Sequence, residues 1–237
     1  MLHTLKYSKK PKVIQKLLNL LYYNPEAFLI EKDLVSYLRI KDFDILPSEN
    51  LDSFSIYPEW LEGTRPTDIA VDIGACIGGI TLPLSKLVKK VHAFEPLYIK
   101  ELDNNVALNK ISTIQTHKEA LGIQTGKKLE VTFGSKTEEA LTINWESLKI
   151  LIPTIDFLKV DIEGYEWYSL KPSYFKGIRE LRLELHILHK SRAKLDREAN
   201  YWVWELDSMG YKCKTLVKKE FSPSVHHTIY LWASATK

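Results

Sequence analysis

Three stretches of this sequence concentrate side chains able to do chemistry. In "FLKVDIEGYEW", residues 157–167, the period of two of an extended chain puts Lys159 and Asp161 on one face, with Leu158 and Val160 on the other. Gly164 then permits a sharp turn, flanked by Glu163 and Glu166. In "LRLELHI", Glu184 and His186 share a face near the end of the run. Charged groups at strand tips need an outlet, which in an open α/β sheet is the crevice beyond the carboxyl ends of the strands. Lys159, Asp161, Glu163, Glu184 and His186 are therefore expected to converge. Such a set can take a proton from a hydroxyl, with Asp161 and His186 as candidate bases. Lys159 would lower the pKa of a neighbouring acid or steady a developing oxyanion. The plainer alternatives are an ion pair of Lys159 with Glu163 or Glu184, and a His186 that merely ends its strand. Asp161, Glu184 and His186 have no fixed ligand spacing, so no metal is assigned.

The third stretch is "VDIGACIGGIT", residues 71–81, where Asp72 ends an apolar run and Gly74, Gly78 and Gly79 follow. A glycine-rich turn between strand and helix lets a ligand approach bare backbone. The spacing matches neither G-x-G-x-x-G nor the phosphate loop. The next strand ends in "AFEP", so Glu95 stands where a carboxylate can accept from both hydroxyls of a ribose. A nucleoside that carries an amino acid and no phosphate, S-adenosylmethionine, meets both demands. Asp72 is expected to reach its ammonium directly or through water.

The elements that must position these groups alternate between β-branched runs and helical patterns. Strands are expected at 69–73, 91–94, 113–119, 157–161 and 180–188, and helices at 80–88 and 99–109. The alternation argues for parallel strands with crossover helices. Residues 129–133 read as a hairpin-like addition. The last two strands, 212–218 and 227–233, are joined by too short a link to be parallel. Upstream, Val13 to Leu21 has helical spacing with lysines on its wet face, and a second helical pattern covers Phe28 to Leu38. The expected organisation is a helical N-terminal extension over residues 1–65 and a main domain over 66–237.

"VDIGACIGGITLPLS", "VHAFEPLYIKELDNNVALN", "EALG" and "FLKVDIEGYEW" together resemble the FkbM-type class I methyltransferases. The resemblance covers about residues 69–187. It implies a Rossmann-like α/β sheet of seven strands with the last antiparallel, S-adenosylmethionine as donor, and O-methylation of a hydroxyl. Carried over by position, Asp72, Gly74, Ala75, Cys76, Gly78 and Thr81 of the loop, Glu95 with Pro96, Glu119 with Ala120, and Asp161 fall to the donor. Asn105 and Asn109 are expected to bond the loop structurally. Cys76 stands where the family usually has asparagine, and Tyr165 where a small residue is common.

Composition bounds the rest. Of 237 residues 45% are hydrophobic and 27% charged, with a net charge of +3, too small to imply a nucleic-acid partner by itself. Two cysteines, Cys76 and Cys213, make no disulfide framework. The longest apolar runs fall short of a membrane span, and a cytoplasmic enzyme is expected. The expected acceptor is a small molecule or glycan. RNA is the second choice, because "LDNNVALN" also resembles archaeal tRNA guanine methyltransferases, whereas "KVDIEG" lacks their base-holding motif. A cofactor-binding protein without turnover is third.

Overall fold

A computed structural model describes residues 27–32, 35–40, 42–45, 58–133, 136–187, 192–219 and 227–236. The expected helix at Val13 to Leu21 lies outside them. Where a second helix is expected, the chain instead forms β1 (Ala27–Lys32) and β2 (Val35–Ile40), which pair antiparallel and continue into β3 (Phe43–Ile45). Leu29, Leu34 and Leu38 do fit a helical stripe. The β-branched and aromatic residues Ile30, Val35, Tyr37 and Ile40 fit a pleated ladder as well, and cross-strand pairing decides between them.

The main sheet is built from β4 (Ile69–Ile73), β5 (Lys90–Phe94), β6 (Ile114–His117), β10 (Phe157–Val160), β11 (Glu180–Ile187), β12 (Tyr211–Lys219) and β13 (His227–Ala235). Its order is β12-β13-β11-β10-β4-β5-β6. The central strands are parallel, and β13 runs antiparallel to both neighbours. Residues 113–119 do not all join this sheet. After β6 the chain departs, and β7 (Ala120–Leu121) pairs with β9 (Lys136–Ile143), which forms a hairpin with β8 (Lys128–Phe133). A short helix, α1 (Pro58–Leu61), precedes the first strand of this sheet, and the helix expected over 80–88 is regular only at α2 (Thr81–Ser85) and continues as turns. The next helix, α3 (Ile99–Leu108), lies where it is expected.

Register positions the site. Phe94, Ile73, Val160 and Leu183 are partners across β5, β4, β10 and β11, and each is 1% exposed or less. Glu95, Gly74, Asp161 and Glu184, the next residues along, therefore emerge side by side from the sheet. The row beneath them is anchored in a core that includes Leu158, Leu181, Phe175 and Trp202.

The edge strand β6 and its neighbour β5 hold a titratable pair. His92 Nδ1 and His117 Nε2 are 3.0 Å apart, and the His117 ring stacks on Phe94. Burial, with the charge of Lys90 and the neighbouring His117, lowers the His92 pKa to about 4. The fold thus favours neutral His92, a contribution fully present above the unfolded value of 6.5 and lost as pH falls toward 4. The melting temperature is expected to drop over that window, and less steeply in His92→Gln; calorimetry across pH 4–7 checks it.

Candidate active site

A cavity of about 450 Å³ opens at the carboxyl ends of β4, β5, β10 and β11. Its wall includes Gly74, Ala75, Cys76, Glu95, Pro96, Glu119 and Ala120 of the expected donor residues, and Lys159, Asp161, Glu163 and Glu184 of the expected chemical set. The β8–β9 hairpin closes one side with Leu129 to Phe133, and Tyr230 and Trp232 of β13 stand on another. Neither contribution is apparent from sequence. The alternating apolar residues Leu129, Val131 and Phe133 are the one available signal for the hairpin wall.

Glu95 is held ready. It is 5% exposed, and its Oε2 accepts from the Cys76 amide at 2.7 Å while Oε1 accepts from Leu97 and Tyr98 at 2.7 and 3.0 Å. Burial raises its pKa, and the three amides with the charge of Lys159 act against that rise. Each carboxylate oxygen carries two lone pairs, so amide bonding fixes the rotamer without exhausting acceptor capacity.

The glycines divide in purpose. Gly74 has φ +80°, and a Cβ there would lie 1.7 Å from the Asp161 carbonyl oxygen. It lets the loop pass directly against β10's exit. Gly78, at φ +103°, faces Leu82 and Leu102, so its missing side chain makes room for helix packing and not for a ligand. Gly79 is the glycine of that pair that lines the cavity.

Asp72 departs from expectation. It is fully buried, with Oδ2 accepting from the Thr81 hydroxyl at 2.6 Å and Oδ1 3.1 Å from Lys159 Nζ. Asp72 and Lys159 are register partners on adjacent parallel strands, which puts their side chains together beneath the loop. Asp72 and Thr81 therefore support the loop from below and do not line the cavity. Lys159 also donates to the Gly74 carbonyl at 2.7 Å and stands 3.8 Å from Asp161 Oδ2. Its principal partner is Asp72, not Glu163 or Glu184. Burial alone would lower the Lys159 pKa, but Asp72, Asp161 and Glu184 more than offset this and hold it above its ordinary range.

His186 faces carboxylates on every side described. Its Nε2 is 3.6 Å from Glu163 and Glu184 and 3.9 Å from Asp161, and its Nδ1 is 3.1 Å from Glu166. Burial acts to lower its pKa, but Glu166, Asp161 and Glu163 outweigh it and raise the value to about 10. A value of about 10 leaves His186 protonated at neutral pH, between carboxylates that stabilise its charge. Burial raises the Asp161 pKa against the pull of Lys159 and His186. Burial and the charge of Asp161 raise Glu184 to about 8. Glu166 is fully buried and accepts from the Ile162 and Gly164 amides, holding the turn that carries Glu163.

Asn105 bonds the loop through the Ile77 carbonyl at 2.9 Å. Asn109 instead exchanges two hydrogen bonds with the backbone of Asp44, tying β3 to the end of α3.

This sheet order, with a glycine turn after its first parallel strand and a carboxylate at the tip of the next, defines a class I S-adenosylmethionine-dependent methyltransferase. Residues 72–213 match the Methyltransferase FkbM domain, and the chain belongs to that family. Among curated proteins none matches. Similar solved structures include a dimethyladenosine transferase from Plasmodium falciparum, 14% identical with a TM-score of 0.50 over 76% of this chain and 62% of that one. An rRNA methylase from Streptococcus thermophilus is 12% identical over 75% and 92%, TM-score 0.48. M. jannaschii TYW2, in complex with AdoMet, is 14% identical over 89% and 87%, TM-score 0.45. Among the described residues no helix is long and apolar enough to cross a membrane.

Proposed function

We propose that the chain methylates a hydroxyl of a small molecule or glycan. The observation that carries this reading is the charge of the cavity. Seven of its lining residues are acidic and one, Lys159, is basic and already engaged with Asp72. Glu184, raised to about 8, is largely neutral at pH 7, but the remaining acids still outnumber the one cation, and a wall of that sign repels the phosphates of RNA and suits a neutral acceptor.

On this reading Glu95 holds the ribose hydroxyls of the donor, the backbone of Gly74 to Cys76 lies along its methionine part, and Glu119 accepts from its adenine amino group. Bound S-adenosylmethionine supplies an electrophilic methyl: the acceptor oxygen bonds that carbon as the carbon–sulfur bond breaks, and the sulfur keeps the electron pair. The chain's own residues align the acceptor and take its proton. Asp161 is the proposed proton acceptor, oriented by Lys159 and His186 on either side.

Glu95→Ala is expected to weaken S-adenosylmethionine binding by about 2 kcal/mol, roughly thirtyfold, as two ribose bonds are lost and three amides lose their acceptor. Isothermal titration measures it, and unchanged affinity would overturn the donor assignment. Methyl transfer to hydroxylated small molecules should change little with added salt. Activity confined to RNA and falling steeply with salt would favour the other acceptor.

A further inference from the structure

We infer that a divalent cation site adjoins the cavity where Asp161 and Glu163 line it, with Asp161, Glu163 and His186 as protein ligands and an acceptor oxygen as a further one. This deepens the methyltransferase reading and rests on it for the acceptor.

One donor atom from each of the three residues lies within 4.8 Å of the others. Two further observations separate this from an ordinary acidic cluster. His186 is 8% exposed and aims Nε2 at Asp161, Glu163 and Glu184, whose oxygens stand 3.6 to 3.9 Å away, beyond hydrogen-bond range. Asp161 Oδ1 is buried and has no hydrogen-bond partner. Had these groups paired directly, charge-assisted bonds would bring them to about 2.7–2.9 Å. Neighbouring donors about one ion at about 2.0–2.2 Å stand about 2.8–3.6 Å apart, from octahedral to tetrahedral shells. The separations of His186 Nε2 from Glu163 and Asp161, 3.6 and 3.9 Å, lie at or beyond the upper end of that range, and a short side-chain movement would draw the three donors, now within 4.8 Å of one another, onto one ion.

The surroundings agree. His186 Nδ1 is engaged by Glu166, itself fixed by two amides, and this sets the ring so that Nε2 faces the other carboxylates. A ligating imidazole oriented through its second nitrogen by a carboxylate is the usual support of a metal-bound histidine. Lys159 is turned toward Asp72 and Gly74, leaving the site anionic. In the site a cation takes the place of the proton on Nε2. Two carboxylates with one imidazole suit an ion such as Mn²⁺ better than Ca²⁺, which prefers oxygen alone. Its chemical contribution would be to acidify a coordinated hydroxyl: with the cation bound, Asp161 would serve as a ligand in place of the proton acceptor, and the hydroxyl proton would leave to water before the oxygen takes the methyl.

The test is a titration of chelator-treated full chain with Mn²⁺, reading free ion by electron paramagnetic resonance, beside isothermal titration of S-adenosylmethionine on the same preparation. One Mn²⁺ per chain is expected, weakened about 10- to 100-fold by Glu166→Gln and at least as much by Glu163→Gln. A chain that binds S-adenosylmethionine yet leaves the free-ion signal undiminished overturns the cation site and leaves the methyltransferase reading standing. Equal Mn²⁺ affinity in wild type, Glu163→Gln and Asp161→Asn overturns it too. Mn²⁺ binding that obeys these variants, without S-adenosylmethionine binding, supports the site and removes the proposed reaction.

Discussion

Replacing Lys159 with methionine is expected to destabilise the protein by about 3–5 kcal/mol, the cost of leaving a buried carboxylate without its cation. Methionine keeps most of the lysine's bulk, so the loss is electrostatic and not a cavity effect. Asp72, which has no exposed surface, would keep only the Thr81 hydroxyl. The Gly74 carbonyl would lose its donor as well. For a chain of this size the melting temperature should fall by roughly 6–20 °C, measurable by calorimetry. In Asp72→Asn/Lys159→Met the orphaned charge is gone, and part of the loss should return. A single variant as stable as the parent would mean that the pair contributes nothing to the fold.

Asp161→Asn is expected to cut turnover by about 10²–10⁴ while S-adenosylmethionine affinity stays within a few fold. The substitution preserves shape, and Asp161 leaves the strand beside Gly74 through its backbone, which asparagine keeps. What disappears is a carboxylate between Lys159 and His186 that can take a proton or hold a cation. Transfer of labelled methyl to a panel of hydroxylated acceptors, with donor titration alongside, separates the two quantities. Full turnover in the variant would remove Asp161 from the chemistry.

The strands and their direction are readable because buried parallel strands announce themselves as short, mostly apolar runs: "IAVDI", "KVHAF" and "FLKV" each appear as one, spaced by helix-length segments. Convergence of Lys159, Asp161, Glu184 and His186 followed from the period of two. The pairing of Asp72 with Lys159 was not readable, since they lie 87 positions apart and only the register of β4 against β10 makes them neighbours. Gly78 was assigned to the ligand because a glycine's reason is not written in its own residue type; here it is Leu102 of α3 that needs the space. His186 reads as a candidate base by its type, but its four surrounding carboxylates, drawn from two segments, raise its pKa and favour the protonated ring, which residue type alone does not reveal. Phe28 to Leu38 carried both periodicities, and the partner strand resolved the ambiguity.

The β7–β9–β8 sheet shares no ladder with the seven strands, yet it supplies one wall of the cavity. Residues on its cavity face can be exchanged without touching the Gly74 turn or the Lys159 pairing, provided Phe133 and Lys136, which brace Tyr98 and Leu97 beside Glu95, are kept. Diversification of such an enzyme can thus proceed in a detachable panel while the parts that grip the methyl source stay constant.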